Sequence, residues 1–235
     1  MLFIAISITS VSAHELRIES AIIDFSRNEI AIPGDSGNLF NTADDDWKQH
    51  NSFAYRLYYT HKLDEQSSLR FLFAPLQTQF TGRFDNITNF NGQNFMSGDA
   101  KVNYKFNSYR IGYHRQLMKK DQLVLNYGLV AKIRDAEIEV IQGSQSSSRK
   151  DLGLVPLLHF DINYNFYKDV SLYFDLDGLI APQGRAFDGG LFIQREYKQY
   201  KVFAGYRFLE GGADNDKVKT FSYVNYYTLG MSFNF

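Results

Sequence analysis

The stretch Phe221-Ser-Tyr-Val-Asn-Tyr-Tyr-Thr-Leu-Gly-Met-Ser-Phe-Asn-Phe235 decides how this chain folds. Its odd positions, Tyr223, Asn225, Tyr227, Leu229, Met231, Phe233 and Phe235, are mostly large and apolar. Its even positions, Ser222, Val224, Tyr226, Thr228, Gly230, Ser232 and Asn234, are mostly small or polar. A period of two belongs to a strand with unlike faces, because successive side chains of a strand point to opposite sides.

The same alternation recurs upstream. Val202, Ala204, Tyr206 and Phe208 alternate with Phe203, Gly205, Arg207 and Leu209. Leu172, Phe174, Leu176 and Ile180 alternate with Tyr173, Asp175, Asp177 and Leu179. Leu158, Phe160, Ile162 and Tyr164 alternate with His159, Asp161, Asn163 and Asn165. Leu125, Tyr127, Leu129 and Ile133 alternate with Asn126, Gly128, Lys132 and Arg134. Phe53, Tyr55, Leu57 and Tyr59 alternate with Ala54, Arg56, Tyr58 and Thr60. Ten such segments follow one another: 15–32, 52–63, 67–84, 100–117, 123–141, 152–167, 170–181, 186–197, 201–210 and 221–235. Most exceed the roughly 9 to 11 residues of a tilted transmembrane strand, and strands of soluble sandwiches are shorter, about 5 to 6 residues. In the segment 100–117 the large residues change parity between Phe106 and Tyr109, which predicts a bulge near Asn107.

The connections alternate too. The turns at 64–66, 119–122, 168–169 and 198–200 are short and polar. The connections 33–51, 85–99, 142–150 and 211–220 are long, and only 182–185 breaks the rule. Short turns on one rim and long loops on the other describe a closed meander in an outer membrane, with both termini on the short-turn side. The fold class expected is therefore all-β: a transmembrane, antiparallel, up-and-down β-barrel of about ten strands, with eight strands and longer loops as the alternative.

Composition agrees. The chain has 235 residues, 16% aromatic and 22% charged, with 21 Phe, 16 Tyr and one Trp. The mean hydropathy of -0.32 leaves no room for helical spans. A formal net charge of -1 offers no basic field for nucleic acid. No cysteine means no disulfide, no thiolate metal ligand and no thiol nucleophile. A lipid-facing shell of aromatics around a charged lumen reconciles many rings with a hydrophilic average. Tyr55, Tyr59, Tyr113, Tyr164, Tyr223 and Tyr227, near segment ends, are expected in the interfacial girdles. Met-Leu-Phe-Ile-Ala-Ile-Ser-Ile-Thr-Ser-Val-Ser-Ala13 reads as an export signal, an apolar stretch running into small residues. The expected organisation is a signal peptide over 1–13 and one barrel domain over 14–235.

On these residues the chain resembles the small outer-membrane β-barrel proteins of Gram-negative bacteria. The segment from Tyr227 through Gly230 and Phe233 to Phe235 is similar to the C-terminal signal read by the barrel-assembly machinery. The resemblance implies residence in the bacterial outer membrane and contact with its lipids and lipopolysaccharide. It also implies passage by periplasmic chaperones and the assembly machinery. It implies no cofactor, metal or nucleic acid.

The inward charges are the candidate site. Pairing across the turn at Lys168 sets His159 opposite Asp177 and Asp161 opposite Asp175. A symmetric loop at 144–148 brings Lys132 and Arg134 towards Asp161, and Arg207 faces Asp177 across Gly190. The expected result is a mid-barrel ionic network of Lys132, Arg134, His159, Asp161, Asp175, Asp177 and Arg207. In a narrow lumen such charges need partners, so the network is read as a plug and the chain as no enzyme. Its loops would then carry a structural or surface-interaction role. A narrow passive channel for small solutes is the alternative. An outer-membrane hydrolase ranks lower. Asp175-x-Asp177 beside His159-x-Asp161 resembles the acid and histidine pairs of outer-membrane aspartyl-type proteases, but lies at mid-strand, out of a polypeptide's reach. Only His50-Asn-Ser52 matches the His-x-Ser of a lipid deacylase, and it falls at a loop end. Asp44, Asp45, Asp46, Asp214 and Asp216 are read as a solvated acidic rim rather than a calcium site.

Overall fold

The computed structural model describes residues 14–182 and 184–235. The expected signal peptide, 1–13, lies outside the described residues. In chain order the strands are β1 (His14–Ala31), β2 (Phe40–Asn41), β3 (Lys48–His50), β4 (Phe53–Lys62), β5 (Ser67–Ala74), β6 (Gln77–Phe84), β7 (Thr88–Phe90), β8 (Gln93–Phe95) and β9 (Gly98–Lys120). There follow β10 (Leu123–Gln142), β11 (Gln145–Tyr167), β12 (Val170–Ala181), β13 (Gly184–Glu196), β14 (Tyr200–Asn215) and β15 (Val218–Asn234).

All pairings are antiparallel, and the sheet closes on itself. From β9 it runs through β10 to β15, on to β1, β4 and β5, and back to β9. The strands β5 and β6 are two halves of one wall strand. Both pair with β9, and Pro75 and Leu76 interrupt them because proline has no N–H for the ladder. Counting that pair once, the ring has ten strands, and the eight-stranded alternative is set aside. The seam closes where the backbone N–H of His14 donates to the carbonyl of Phe235 at 3.0 Å, and that of Phe235 to the carbonyl of His14 at 3.0 Å.

The expected bulge at Asn107 is absent. The register of β9 against β10 runs through Asn107 without a shift, and even-numbered residues face inward on either side of it. Asn107 is itself buried because its Oδ1 accepts from the Leu76 backbone N–H at the gap between β5 and β6. The apolar character of Val102, Tyr104 and Phe106 predicts a lipid-facing position, but these residues point into the barrel instead. The register of β9 shifts lower down, opposite Leu125 and Asn126. A bulge does occur in β1, between Phe25 and Arg27, where the inward parity passes from Ile23 and Phe25 to Asn28 and Ile30.

These details divide the wall into two zones. Near the short-turn rim the outward residues are apolar: Ile22, Phe53, Leu129, Ile193 and Leu229 are 59% to 67% exposed. Further along the same strands the outward positions turn polar. Ile22 gives way to Asp24, Ile133 to Asp135 and Glu137, Tyr109 to Asn107 and Lys105, and Leu229 and Tyr227 to Asn225. The inward face switches near the same height, in the opposite sense. Glu19 gives way to Ala21, Ile23 and Phe25, Arg56 to Ala54, Arg207 to Leu209, and Thr228 to Tyr226 and Val224.

The long-loop zone is thus filled by an apolar core. Phe25 meets the edges of Phe80 and Tyr104 with ring centroids 5.2 and 5.3 Å apart. The loops fold in to cap it: Phe90 and Phe95, on the β7–β8 hairpin, are fully buried, and Phe40 and Trp47 pack against the same cluster. The lumen is therefore polar over one zone only, which corrects the expectation of a polar interior along its whole length.

Candidate functional site

Alternation aims every second residue of the apolar-belted zone into the lumen, and the register decides which of them meet. His159 pairs with Asp177 and Asp161 with Asp175, as the turn at Lys168 predicts. Asp175, Gly190 and Arg207 lie side by side on β12, β13 and β14, so Arg207 faces Asp175 across Gly190 and not Asp177, which pairs with Asp188. A side chain at Gly190 would strike the Phe192 ring and come within 3.0 Å of Asp175 Oδ1. Its absence leaves the path along which Arg207 Nη2 donates to both Asp175 oxygens, at 3.0 and 3.1 Å.

The centre of the network is Asp188, which accepts from three arginines. Arg207 Nη1 donates to its Oδ1 at 2.8 Å, Arg56 Nη2 to its Oδ2 at 2.8 Å, and Arg110 Nη2 to the same Oδ2. Glu19 is the second hub. It accepts from Arg207 Nε at 3.1 Å and from Arg17 Nε at 3.0 Å. Arg110 Nη1 reaches Asp177 Oδ2 at 2.5 Å. The His159 ring bridges two acids, with Nδ1 2.6 Å from Asp177 Oδ1 and Nε2 2.8 Å from Asp161 Oδ2. Asn126 Nδ2 donates to the other oxygen of Asp161 at 2.7 Å. Arg207 and Asp188 are only 1% and 3% exposed, so at the centre of the network partners have replaced water. The space left at the centre, beside Arg70, Arg110, His114, His159 and Asp177, is a cavity of ≈ 20 Å³, enough for about one water.

Five of the seven expected residues meet in this network: His159, Asp161, Asp175, Asp177 and Arg207. The other two do not. The β10–β11 register places Asn126, not Lys132, opposite Asp161. Lys132 is buried with its Nζ 4.6 Å from the centroid of the Phe106 ring. Arg134 pairs with Asp151, where the β10–β11 hairpin rises above the point at which β12 joins β11. Sequence reasoning missed Glu19, Arg110 and Asp188 as members, and Arg56 only as a partner. Their parity carries the signal: each is an inward residue on a wall strand.

The residues at the C-terminal end point outward, with Tyr227, Phe233 and Phe235 at 59%, 40% and 63% exposed. Gly230 leaves room for Phe203. His50 Nε2 lies 2.8 Å from Thr81 Oγ1, a partnership in which Ser52 takes no part. Among the described residues the acidic loops bring no three ligand atoms together.

No family model and no curated protein matches the chain. Solved structures do. The outer membrane protease OmpT of Escherichia coli superposes with a TM-score of 0.61, covering 96% of this chain and 98% of its own at 11% identity. The fold is that of a bacterial outer-membrane β-barrel. Two further matches are looser. The transport unit of the autotransporter AIDA-I of Escherichia coli covers 99% of this chain and 94% of its own, at 10% identity and a TM-score of 0.47. The attachment invasion locus protein Ail of Yersinia pestis covers 94% and 99%, at 14% identity and 0.40. A barrel of this fold with a continuous apolar belt resides in the bacterial outer membrane, its rim of short turns towards the periplasm. On the outer rim the connections 33–51 and 85–99 are long as expected, but 142–150 and 211–220 are not: β10–β11 and β14–β15 continue as paired strands to two-residue turns.

Proposed function

We propose that this chain is a closed, non-enzymatic outer-membrane barrel that meets its surroundings through its lipid-facing belt and its extracellular loops. The observation that carries this reading is the double obstruction of the lumen. In the membrane zone Asp188, Glu19 and their arginines span the interior from β1, β4 and β9 to β13 and β14. In the outer zone an aromatic core and the folded-in loops fill the remaining section. Hydrolysis requires a free base or nucleophile beside room for a substrate. Here Asp161, Asp175, Asp177 and Asp188 are each held by cationic or amide partners, and the adjoining cavity is water-sized. Lipopolysaccharide and surface ligands remain the partners this reading expects, with the assembly machinery acting during biogenesis.

Planar-bilayer recording of the refolded barrel tests the proposal. The expected result is a membrane with no steady unitary current. Currents that persist in the unmodified protein and change on Asp188→Asn would replace the plug with a narrow channel. Lipid A or peptide cleaved by the purified barrel would replace it with an enzyme.

A further inference from the structure

One part of the lumen is arranged differently from the arginine–carboxylate lattice. Gly128 of β10 is paired on one side with His114 of β9 and on the other with His159 of β11. Because residue 128 carries no side chain, the two imidazoles meet above it, with ring centroids 4.0 Å apart and planes inclined by 52°. One ring nitrogen of each histidine and one oxygen of Asp161 lie within 4.8 Å of one another, and all three residues are buried. Nδ1 of His114 is buried and has no hydrogen-bond partner. Arg17 Nη2, Asn163 Oδ1, Thr228 Oγ1 and Ser232 Oγ are buried without a partner as well, but His114 Nδ1 is the imidazole nitrogen among them, and it belongs to a ring that lies against a second histidine.

The surroundings are those of a coordination site. Histidine ligands of metals characteristically hold their second nitrogen against a carboxylate, which fixes the ring and raises its basicity. Here Asp177 Oδ1 lies 2.6 Å from His159 Nδ1, leaving Nε2 directed at Asp161 Oδ2 at 2.8 Å. Two ligands on a tetrahedral ion with bonds of about 2.0 to 2.2 Å stand roughly 3.3 to 3.6 Å apart, so an ion entering between these atoms would part them by about half an ångström. Asn126 fixes the other oxygen of Asp161 from outside the donor set. The water-sized cavity adjoins both histidines and offers a fourth position, and Arg70 on its wall favours an anionic occupant such as hydroxide or chloride. Two imidazoles and one carboxylate suit a borderline divalent ion, zinc above all, better than calcium or magnesium, which prefer all-oxygen sites.

We infer that the lumen holds a transition-metal site, with His114, His159 and Asp161 as ligands and Asp177 and Asn126 positioning them. Zn²⁺ would replace the proton shared between His159 Nε2 and Asp161 and tie β9 to β11 across β10.

The test titrates the full-length folded barrel, in detergent, with Zn²⁺ alone against a chromophoric chelator, and with Co²⁺ as a spectroscopic probe. The expected result is one ion per chain and the intense visible bands of four-coordinate cobalt. His114→Ala and Asp161→Asn should abolish tight binding, and Asp177→Asn should weaken it by about 10- to 100-fold. His61→Ala, which removes one of the two histidines in contact at the periplasmic rim, should leave binding unchanged. Heat-modifiable migration reports whether each variant has folded. Absence of binding to the unmodified barrel overturns the inference. So does binding that survives His114→Ala, or binding that is lost in His61→Ala. The cobalt spectrum of the unmodified protein is decisive even if a variant fails to fold, because weak six-coordinate bands would exclude the site.

Discussion

The membrane zone and the outer zone of this barrel share the same strands but carry opposite polarity. Along β9 the inward residues run from Val102, Tyr104 and Phe106 to Ser108, Arg110 and His114, while the outward ones run from Lys101, Asn103 and Lys105 to Tyr109, Ile111 and Tyr113. The backbone alternates identically throughout, and only the solvent outside changes. Hydrocarbon selects apolar side chains on the outer face and leaves the lumen to charges that pair with each other. Water selects charges on the outer face and leaves the lumen to rings. The two fillings also differ energetically. The aromatic core stabilises by burial. The ionic lattice recovers in its mutual bonds what desolvation costs, so its value lies in the penalty for losing one member.

This contrast orders the substitutions that would break it. The largest effect is expected for Asp188→Ala, which strands Arg56, Arg110 and Arg207 in the lumen. Unfolding of the refolded barrel in urea should show a loss of about 3 to 5 kcal/mol. A loss below about 1 kcal/mol would mean that water already reaches these charges. Phe80→Ala probes the other filling. It removes a ring packed on Phe25 and should cost about 3 kcal/mol or somewhat more, with increased proteolysis of the capping loops. Leu176→Arg places a charge on the lipid face and should cost about 2 to 4 kcal/mol if the residue lies near mid-membrane. Asn103→Arg, outward on the neighbouring zone, gives up side-chain bonds with Gln79 and Glu139 and should cost about 1 kcal/mol. Equal penalties for these two would erase the boundary between the zones. Asp151→Ala removes an ion pair with Arg134 at the exposed hairpin and should cost under about 1 kcal/mol.

The smallest effect lies at a periplasmic turn. The Ser67 hydroxyl, followed by the Gln66 backbone N–H, holds the Asp64 carboxyl below its usual range. A depressed folded value gives stability that is present above the unfolded value of about 3.9 and is lost as pH falls through the folded one. Asp64→Asn should therefore lower stability by a constant amount above about pH 4 and flatten the profile below it, and a change of slope near pH 7 would contradict that assignment.

Much of this architecture is legible in the residues. Alternation and the long-short rhythm of connections yield ten strands. The tight turn at Lys168 fixes the His159–Asp177 and Asp161–Asp175 pairs, since a two-residue turn leaves little freedom of register. The misplaced residues have physical causes. Lys132 and Arg134 are misplaced because 142–150 reads as a long loop centred on 144–148, whereas β10 and β11 run on to a two-residue turn at Gly143 and Ser144, which moves the centre of pairing. Turning Val102, Tyr104 and Phe106 outward rests on the premise that apolar means lipid-facing, and that premise fails above the membrane. Glu19 is obscured by the bulge in β1, and Asp188 meets Arg56 and Arg110 across the lumen, a contact that no pairing of neighbouring strands reveals. The metal donor set is hidden for a related reason, because His114 and His159 are separated by a whole strand and meet only over Gly128.

The inversion of polarity can be measured along a single strand. Spin labels placed one at a time at the outward positions Tyr127, Leu129, Ala131, Ile133, Asp135, Glu137 and Glu139 of β10 report contact with lipid through oxygen and with water through a polar nickel chelate. A crossover from oxygen to nickel accessibility between Ile133 and Asp135 is the predicted result. Uniform lipid contact through Glu139, or uniform water contact from Tyr127, would contradict the two-zone barrel.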